Sequence, residues 1–222
     1  MTRISDHLEA IRKEIPSGVT LVAVSKTKPN EAILEAYAGN QRVFGENRVQ
    51  ELTDKSEALP KDIEWHMIGH LQRNKVKYIA PFVSLIHAVD SLRLLEEIDK
   101  EAKKNKRVIR VLLQFHIADE ETKYGFSQQE VRELLNSESF NAFDNVMVAG
   151  VMGMATFTDN EAQVRKEFQT LKRIFDALKA EFFATQDGFK EISMGMSGDY
   201  QIAIEEGSTM VRIGSSIFGS RS

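Results

Sequence analysis

Eight short apolar runs, each followed by a stretch with helical character or a turn, constrain this chain more than any other feature. The runs fall at residues 20–25, 42–45, 63–69, 84–89, 108–115, 146–152, 191–194 and 210–213. Several are dense in Val, Ile and Leu with little polar alternation, as in strands buried on both faces of a parallel sheet. Between them the sequence predicts helices. One starts at Asn30, a candidate N-cap after Pro29. Others cover residues 47–59, closed by Pro60, and 72–79, closed by Pro81. Ser91 heads a helix to Lys104 with Leu92, Leu95, Ile98 and Ala102 on one side, and Ser127 heads another through Leu135. The longest follows Asn160, where Val164, Phe168, Leu171, Phe175, Leu178 and Phe182 mark one face. Ser197 heads a last one ending near Gly207. Strand–helix alternation repeated eight times gives either a closed (β/α)8 TIM barrel or an open doubly wound sheet. No linker, composition break or fixed-length repeat divides the chain. The expectation is a single α/β domain over residues 1–222, with the barrel favoured by the count of eight.

Composition narrows the function classes. The chain is 42% hydrophobic and 28% charged with a net charge of −4, so neither disorder nor a nucleic-acid partner is indicated. The basic cluster Lys100, Lys103, Lys104, Lys106 and Arg107 ends a predicted helix, where cations complement the helix dipole, and reads as a solvated helix end. There is no cysteine, which removes disulfides, thiolate nucleophiles and cysteine zinc sites. The N-terminal stretch from Met1 to His7 lacks the apolar segment of a signal peptide. The uncharged run at residues 146–158 is shorter than the roughly 18 residues of a spanning helix. A cytoplasmic protein without a membrane partner is expected.

Three stretches carry chemistry. Lys26 closes the apolar run Leu21-Val-Ala-Val-Ser25, and Val22, Val24 and Lys26 share one face by alternation. A lysine in an apolar pocket is made nucleophilic toward carbonyls; the competing reading is a solvated lysine, which is also the reading of Lys28. Near the other end, two strands run into Gly195-Met-Ser197-Gly198 and Gly214-Ser215-Ser216. In a barrel, phosphate is held after strands seven and eight by backbone N–H groups, and serines add hydroxyl donors. A glycine–serine turn alone is usually just a turn, but a lysine at one strand end with two such turns after two others points to a pocket for an aldehyde and a phosphate, and so to pyridoxal 5′-phosphate (PLP). Arg212, inside the last strand, faces either a carboxylate elsewhere or the ring nitrogen of that cofactor. Asn47 either caps the following helix, which its local sequence favours, or meets a ligand hydroxyl. His66 and His70 have the spacing of a helical metal pair, but His66 is predicted on a strand and Gly69 interrupts a helix, so no metal site is assigned.

These stretches resemble the YggS/PROSC family of pyridoxal phosphate-binding proteins. Ala23-Val-Ser-Lys26-Thr, Phe44-Gly-Glu-Asn47, Trp65-His-Met-Ile-Gly-His-Leu-Gln-Arg-Asn-Lys75, Met194-Gly-Met-Ser-Gly-Asp199 and the block at residues 207–219 all carry the resemblance, which spans the chain. It implies a barrel similar to the N-terminal domain of alanine racemase. Lys26 would hold PLP as a Schiff base, Asn47 would lie beside the ring hydroxyl, and Arg212 would face the ring nitrogen. Ser197, Gly214 and Ser215 would hold the phosphate. His116, where the family commonly has asparagine, and Ser215, often threonine, are the departures noted.

The resemblance implies cofactor homeostasis: storing, protecting or delivering PLP, with PLP-dependent client enzymes as the expected recipients and no catalytic residue assigned. The racemases add a β-rich domain whose tyrosine works opposite the lysine. This chain leaves no room for it, so one cofactor face is expected to stay open. The rivals are a weak amino-acid racemase and a lysine aldolase acting on sugar phosphates. A monomer is expected.

Overall fold

The eight apolar runs form eight parallel strands: β1 (Thr20–Val24), β2 (Val43–Glu46), β3 (Glu64–Met67), β4 (Leu85–Val89), β5 (Ile109–Gln114), β6 (Val146–Met152), β7 (Glu191–Ser193) and β8 (Met210–Ile213). The computed structural model describes residues 4–119 and 125–219, so Met1 to Arg3 of the N-terminal stretch lie outside it. The strands pair in chain order and β8 pairs back onto β1, which closes the barrel and excludes the open sheet. The closing register sets Val22 opposite Arg212 and Ala23 opposite Ile213. Most strands are shorter than their apolar runs. Ser25, Gly69 and Met194 lie beyond the strand ends, in the loops that build the upper face.

The helices enclose the barrel: α1 (Ile4–Glu14), α2 (Asn30–Ala38), α3 (Val49–Ala58), α4 (Val76–Ile79), α5 (Leu92–Lys104), α6 (Gln128–Leu135), α7 (Glu138–Asn141), α8 (Glu161–Glu181), α9 (Tyr200–Glu205) and α10 (Ser215–Phe218). The sequence reading missed α1, α7 and α10. The 72–79 helix divides into a 3-10 turn at Arg73–Lys75 followed by α4. Ser127 and Asn160 cap α6 and α8 through their side chains. Ser91 occupies the N-cap of α5 without a side-chain bond, and Pro29 rather than Asn30 precedes α2.

Two apolar layers result. Leu21, Ala23, Phe44, Trp65 and Met67 point outward and pack under the helices, whereas Val22, Leu85, Leu112, Ala149, Met152 and Met210 fill the barrel interior. Helix α8 buries Val164, Phe168, Leu171, Ile174 and Leu178, and Phe175 and Phe182 are half-buried. Helix α5 buries Leu94 and Glu101 beside Leu95, Ile98 and Ala102, and Leu92 is only half-buried. Its basic end is not simply solvated. Lys100 and Lys104 pair with Glu97 and Glu101, and Arg107 donates to the carbonyls of Ala80 and Val83 at 2.6 and 2.8 Å.

Of the glycines among the described residues, Gly150 leaves the least room for a side chain. A Cβ there would lie 1.8 Å from the Glu191 carbonyl oxygen, and the β5–β6 register shifts beside it. Backbone of β7 must therefore move for any side chain to fit. Gly150→Ala is expected to lower the unfolding free energy by about 3 kcal/mol or more, read from urea denaturation. A loss below about 1 kcal/mol would show that the wall yields easily.

Candidate functional site

Lys26 sits just beyond β1 in a tight turn. The Ser25 carbonyl accepts the Lys28 N–H at 3.0 Å, and Thr27 between them has φ 66°. The half-buried Lys26 faces a cavity of about 990 Å³ at the C-terminal end of the barrel. That is the face at which barrel enzymes carry their sites. Lys28 also lines the cavity, and its Nζ donates to the Gly219 carbonyl at 3.1 Å. It is therefore a half-buried tie across the cavity mouth, not the solvated lysine expected from sequence.

The two glycine–serine turns form the wall beside Lys26. Gly195 has φ 97°, and a Cβ there would come within 2.7 Å of Ala203 Cβ, so glycine lets the chain turn sharply after β7. At Gly214 a Cβ would lie 3.0 Å from the Val24 carbonyl oxygen, because the ends of β8 and β1 abut there. The turns are joined to each other: Gly214 N–H donates to Ser197 Oγ at 3.3 Å. Ser197 is thus not a helix cap. Asp199 holds the N-cap position of α9 and accepts the Met196 N–H instead. Ser197, Gly214 and Ser215 all line the cavity. Ser197 Oγ, accepting from Gly214, keeps its own proton to donate.

Arg212 lies at the base of the cavity and is buried. Its Nη1 donates to Ser193 Oγ and its Nη2 to the Gly153 carbonyl at 3.1 Å. Among the described residues no salt bridge to a carboxylate, the alternative from sequence, holds it, and Asp199 acts on it through its field. Burial pulls the Arg212 pKa down to about 10, and Asp199 partly opposes this. Desolvation raises the Asp199 pKa in turn, while its bond from Met196 N–H and the field of Arg212 favour its charged form.

Beneath Arg212 a polar column runs across the barrel interior. Ser193 Oγ lies 2.9 Å from His87 Nδ1, and His87 Nε2 lies 3.0 Å from His66 Nδ1. With Arg212 donating to Ser193, the three contacts are mutually consistent if the serine proton goes to His87 Nδ1 and His87 Nε2–H donates to His66 Nδ1. Sequence reading missed Ser193 and His87. The signal was the strand Glu191-Ile-Ser193, in which polar residues recur at the inward positions. Asn47 is a bend residue that lines the cavity, and Arg48 occupies the N-cap of α3, so the capping role favoured by local sequence is not the one it has. Gly69 makes room for it, since a Cβ there would lie 2.5 Å from the Asn47 carbonyl oxygen. His66 is committed to the column, and His70 instead sits 3.4 Å from Asp90 at the cavity edge.

Fold and site together define the class. The chain is a closed barrel with a lysine after its first strand and glycine–serine turns after its seventh and eighth, and the family described as alanine racemase, N-terminal domain, matches residues 1–222. Within that class it belongs to the family of pyridoxal phosphate homeostasis proteins. It is 42% identical to the protein of that name from Aquifex aeolicus, over 99% of this chain and 97% of that one. It is 38% identical to the human protein of that name, over 90% of this chain and 76% of the other. The structure of PipY from Synechococcus elongatus with PLP bound superposes with a TM-score of 0.87 at 34% identity, covering 98% of this chain and all of that one. An alanine racemase from Clostridium difficile shares the fold at a TM-score of 0.76 and 15% identity, and this chain covers 56% of it.

The histidine column carries a pH signature. Burial holds the His66 pKa down at about 3 and depresses that of His87, where the fields of His66, Arg212 and Arg110 add to burial. The unfolded chain therefore binds more protons than the folded one below the ordinary histidine pKa of 6.5. Stability is expected to fall as pH drops from 6.5 toward 3, by up to ~1.4 kcal/mol per pH unit for each histidine. Urea denaturation at a series of pH values checks this, and His66→Asn is expected to give a shallower slope than the parent protein.

Proposed function

We propose that this chain binds pyridoxal 5′-phosphate and serves its homeostasis, holding the cofactor on Lys26 for storage, protection or delivery. One observation carries the reading: a primary amine, a buried guanidinium and two glycine–serine turns converge on a single cavity. They complement, in order, an aldehyde, a ring nitrogen and a phosphate. The residues fit the group. The cavity of about 990 Å³ has room for it, and Arg212 keeps donor capacity beyond its bonds to Ser193 and Gly153. The Aquifex and human relatives named for pyridoxal phosphate homeostasis, and the PipY structure with PLP bound, support it.

When bound, PLP supplies an electrophilic aldehyde and an electron-withdrawing ring. Lys26 supplies the amine that bonds to the aldehyde carbon. Arg212 would donate toward the ring nitrogen and, as a lasting cation, would keep that nitrogen unprotonated, which weakens the ring as an electron sink. Asn47, which lines the same cavity, would meet the ring hydroxyl. Ser197, Gly214 and Ser215 receive the phosphate. This arrangement suits holding the cofactor better than carbanion chemistry. Transfer to PLP-dependent client enzymes, a monomeric state and a cytoplasmic location belong to the same proposal.

Titration with PLP, followed by absorbance and borohydride reduction, tests the reading. The parent protein is expected to develop the band of a lysine-bound cofactor, and Lys26→Ala to show none, with affinity lower by roughly tenfold or more. Absence of the band in the parent would sink the reading. Stereospecific exchange of the α-proton of added amino acids with deuterated water would instead establish the rival, a weak racemase.

A further inference from the structure

Around the Lys26 turn lies a buried ion network with no part in the cavity. Lys55, on α3, donates from Nζ to the Ser25 carbonyl at 2.8 Å, to Glu46 Oε1 at 2.8 Å and to Glu51 Oε1 at 2.6 Å. Ser25 Oγ donates to the same Glu46 oxygen at 2.6 Å, and Glu51 Oε1 accepts the Thr27 N–H at 2.6 Å. The residues before and after Lys26 are thus tied to one ammonium, directly at Ser25 and through Glu51 at Thr27. The Lys55 and Glu46 side chains are 7% and 0% exposed.

The turn needs these ties. Thr27 is the second central residue of the turn from Ser25 to Lys28, and its φ of 66° is the value that a type II turn demands of glycine. A β-branched residue there stores about 1–3 kcal/mol of strain, which persists only where the surroundings over-determine the backbone. Stability gives no reason for the network. A buried ion pair is often matched or bettered by packed apolar side chains. Glu46 Oε2, moreover, is buried without a hydrogen-bond partner among the described residues.

We infer that Lys55, Glu46 and Glu51 are positioning residues that hold the strained turn so that Lys26 presents its amine to the cavity. The inference rests on the proposed PLP-binding function. In the step concerned, the Lys26 nitrogen attacks the aldehyde carbon and a C=N bond replaces C=O. The oxygen leaves as water with the two amine hydrogens. Lys55 does not line the cavity and takes no part in bond formation.

The test pairs two probes. PLP reports the bond to Lys26 through the rate of the absorbance change. Pyridoxine 5′-phosphate, with an alcohol in place of the aldehyde, reports the rest of the site by calorimetry. Glu51→Gln and Lys55→Met are expected to slow the PLP reaction by roughly tenfold to a hundredfold and leave pyridoxine 5′-phosphate affinity unchanged. Adding Thr27→Gly to either variant is expected to recover most of the rate, because glycine takes the positive φ without strain. Glu51, half-buried at the edge of the network, supplies the variant that keeps its fold if Lys55→Met does not. Parental rates in the clamp variants, equal loss of both probes, or no recovery with Thr27→Gly would overturn the inference. A parent protein that never reacts with PLP fails differently: it sinks the functional reading, and the inference falls with it.

Discussion

The pairing of β8 with β1 is the contact on which the rest depends. It joins the two ends of the chain through a register that runs from Thr20–Met210 to Ala23–Ile213. Each ladder hydrogen bond adds only about 1 kcal/mol net, but closure removes both open edges of the sheet at once. It also places Lys26 beside Gly214 and Ser215, and Lys28 close enough to bond Gly219, 191 positions away. Without β8 in place, Arg212 and the second glycine–serine turn would be absent from the cavity. Barrel closure and assembly of the site are therefore one event.

The site concentrates features that stability alone would not select. Among the described residues Arg212 is buried without a carboxylate bonded to it, two histidines stand neutral in the barrel interior, and a threonine adopts a glycine's backbone angle. Each costs free energy, and perturbed groups of this kind cluster where a protein handles a ligand. They are also linked. The column from Arg212 through Ser193 and His87 to His66 fixes the guanidinium from below, while the Lys55 network fixes the Lys26 turn from the helix side. The cavity is framed by rigid polar contacts on two sides, as pre-organisation of a binding site requires.

What sequence showed and what it hid follow from the range of the interactions. Strands were legible because continuous apolar runs such as Leu21–Val24 report burial on both faces. The α8 face was legible because six aromatic and aliphatic positions recur at helical spacing. Helix α1 escaped notice because it buries only Leu8 and Ile11, two positions that are too few to mark a face. Asn47 and Ser197 looked like caps because capping is a local preference, yet their helices start later, at Val49 and Tyr200, and leave both side chains to the cavity. Lys28, Arg107 and Lys55 were misread or missed for the opposite reason. Long side chains reach carbonyls or carboxylates on other elements, which no local pattern encodes. The roles suggested for Lys26, Arg212, Gly214 and Ser215 came first from their strand-end positions and residue chemistry and were sharpened by family resemblance, and the structure brings these residues together at one cavity.

The central claim is that Lys26, Arg212 and the two turns form one site for one molecule. A crystal structure of the protein soaked with PLP tests it most directly. The account predicts density continuous from Lys26 Nζ into the ligand, with Arg212 at the ring nitrogen and the phosphate between Ser197 and Ser215. Density joined to Lys28 or another lysine, or a phosphate away from both glycine–serine turns, would contradict it.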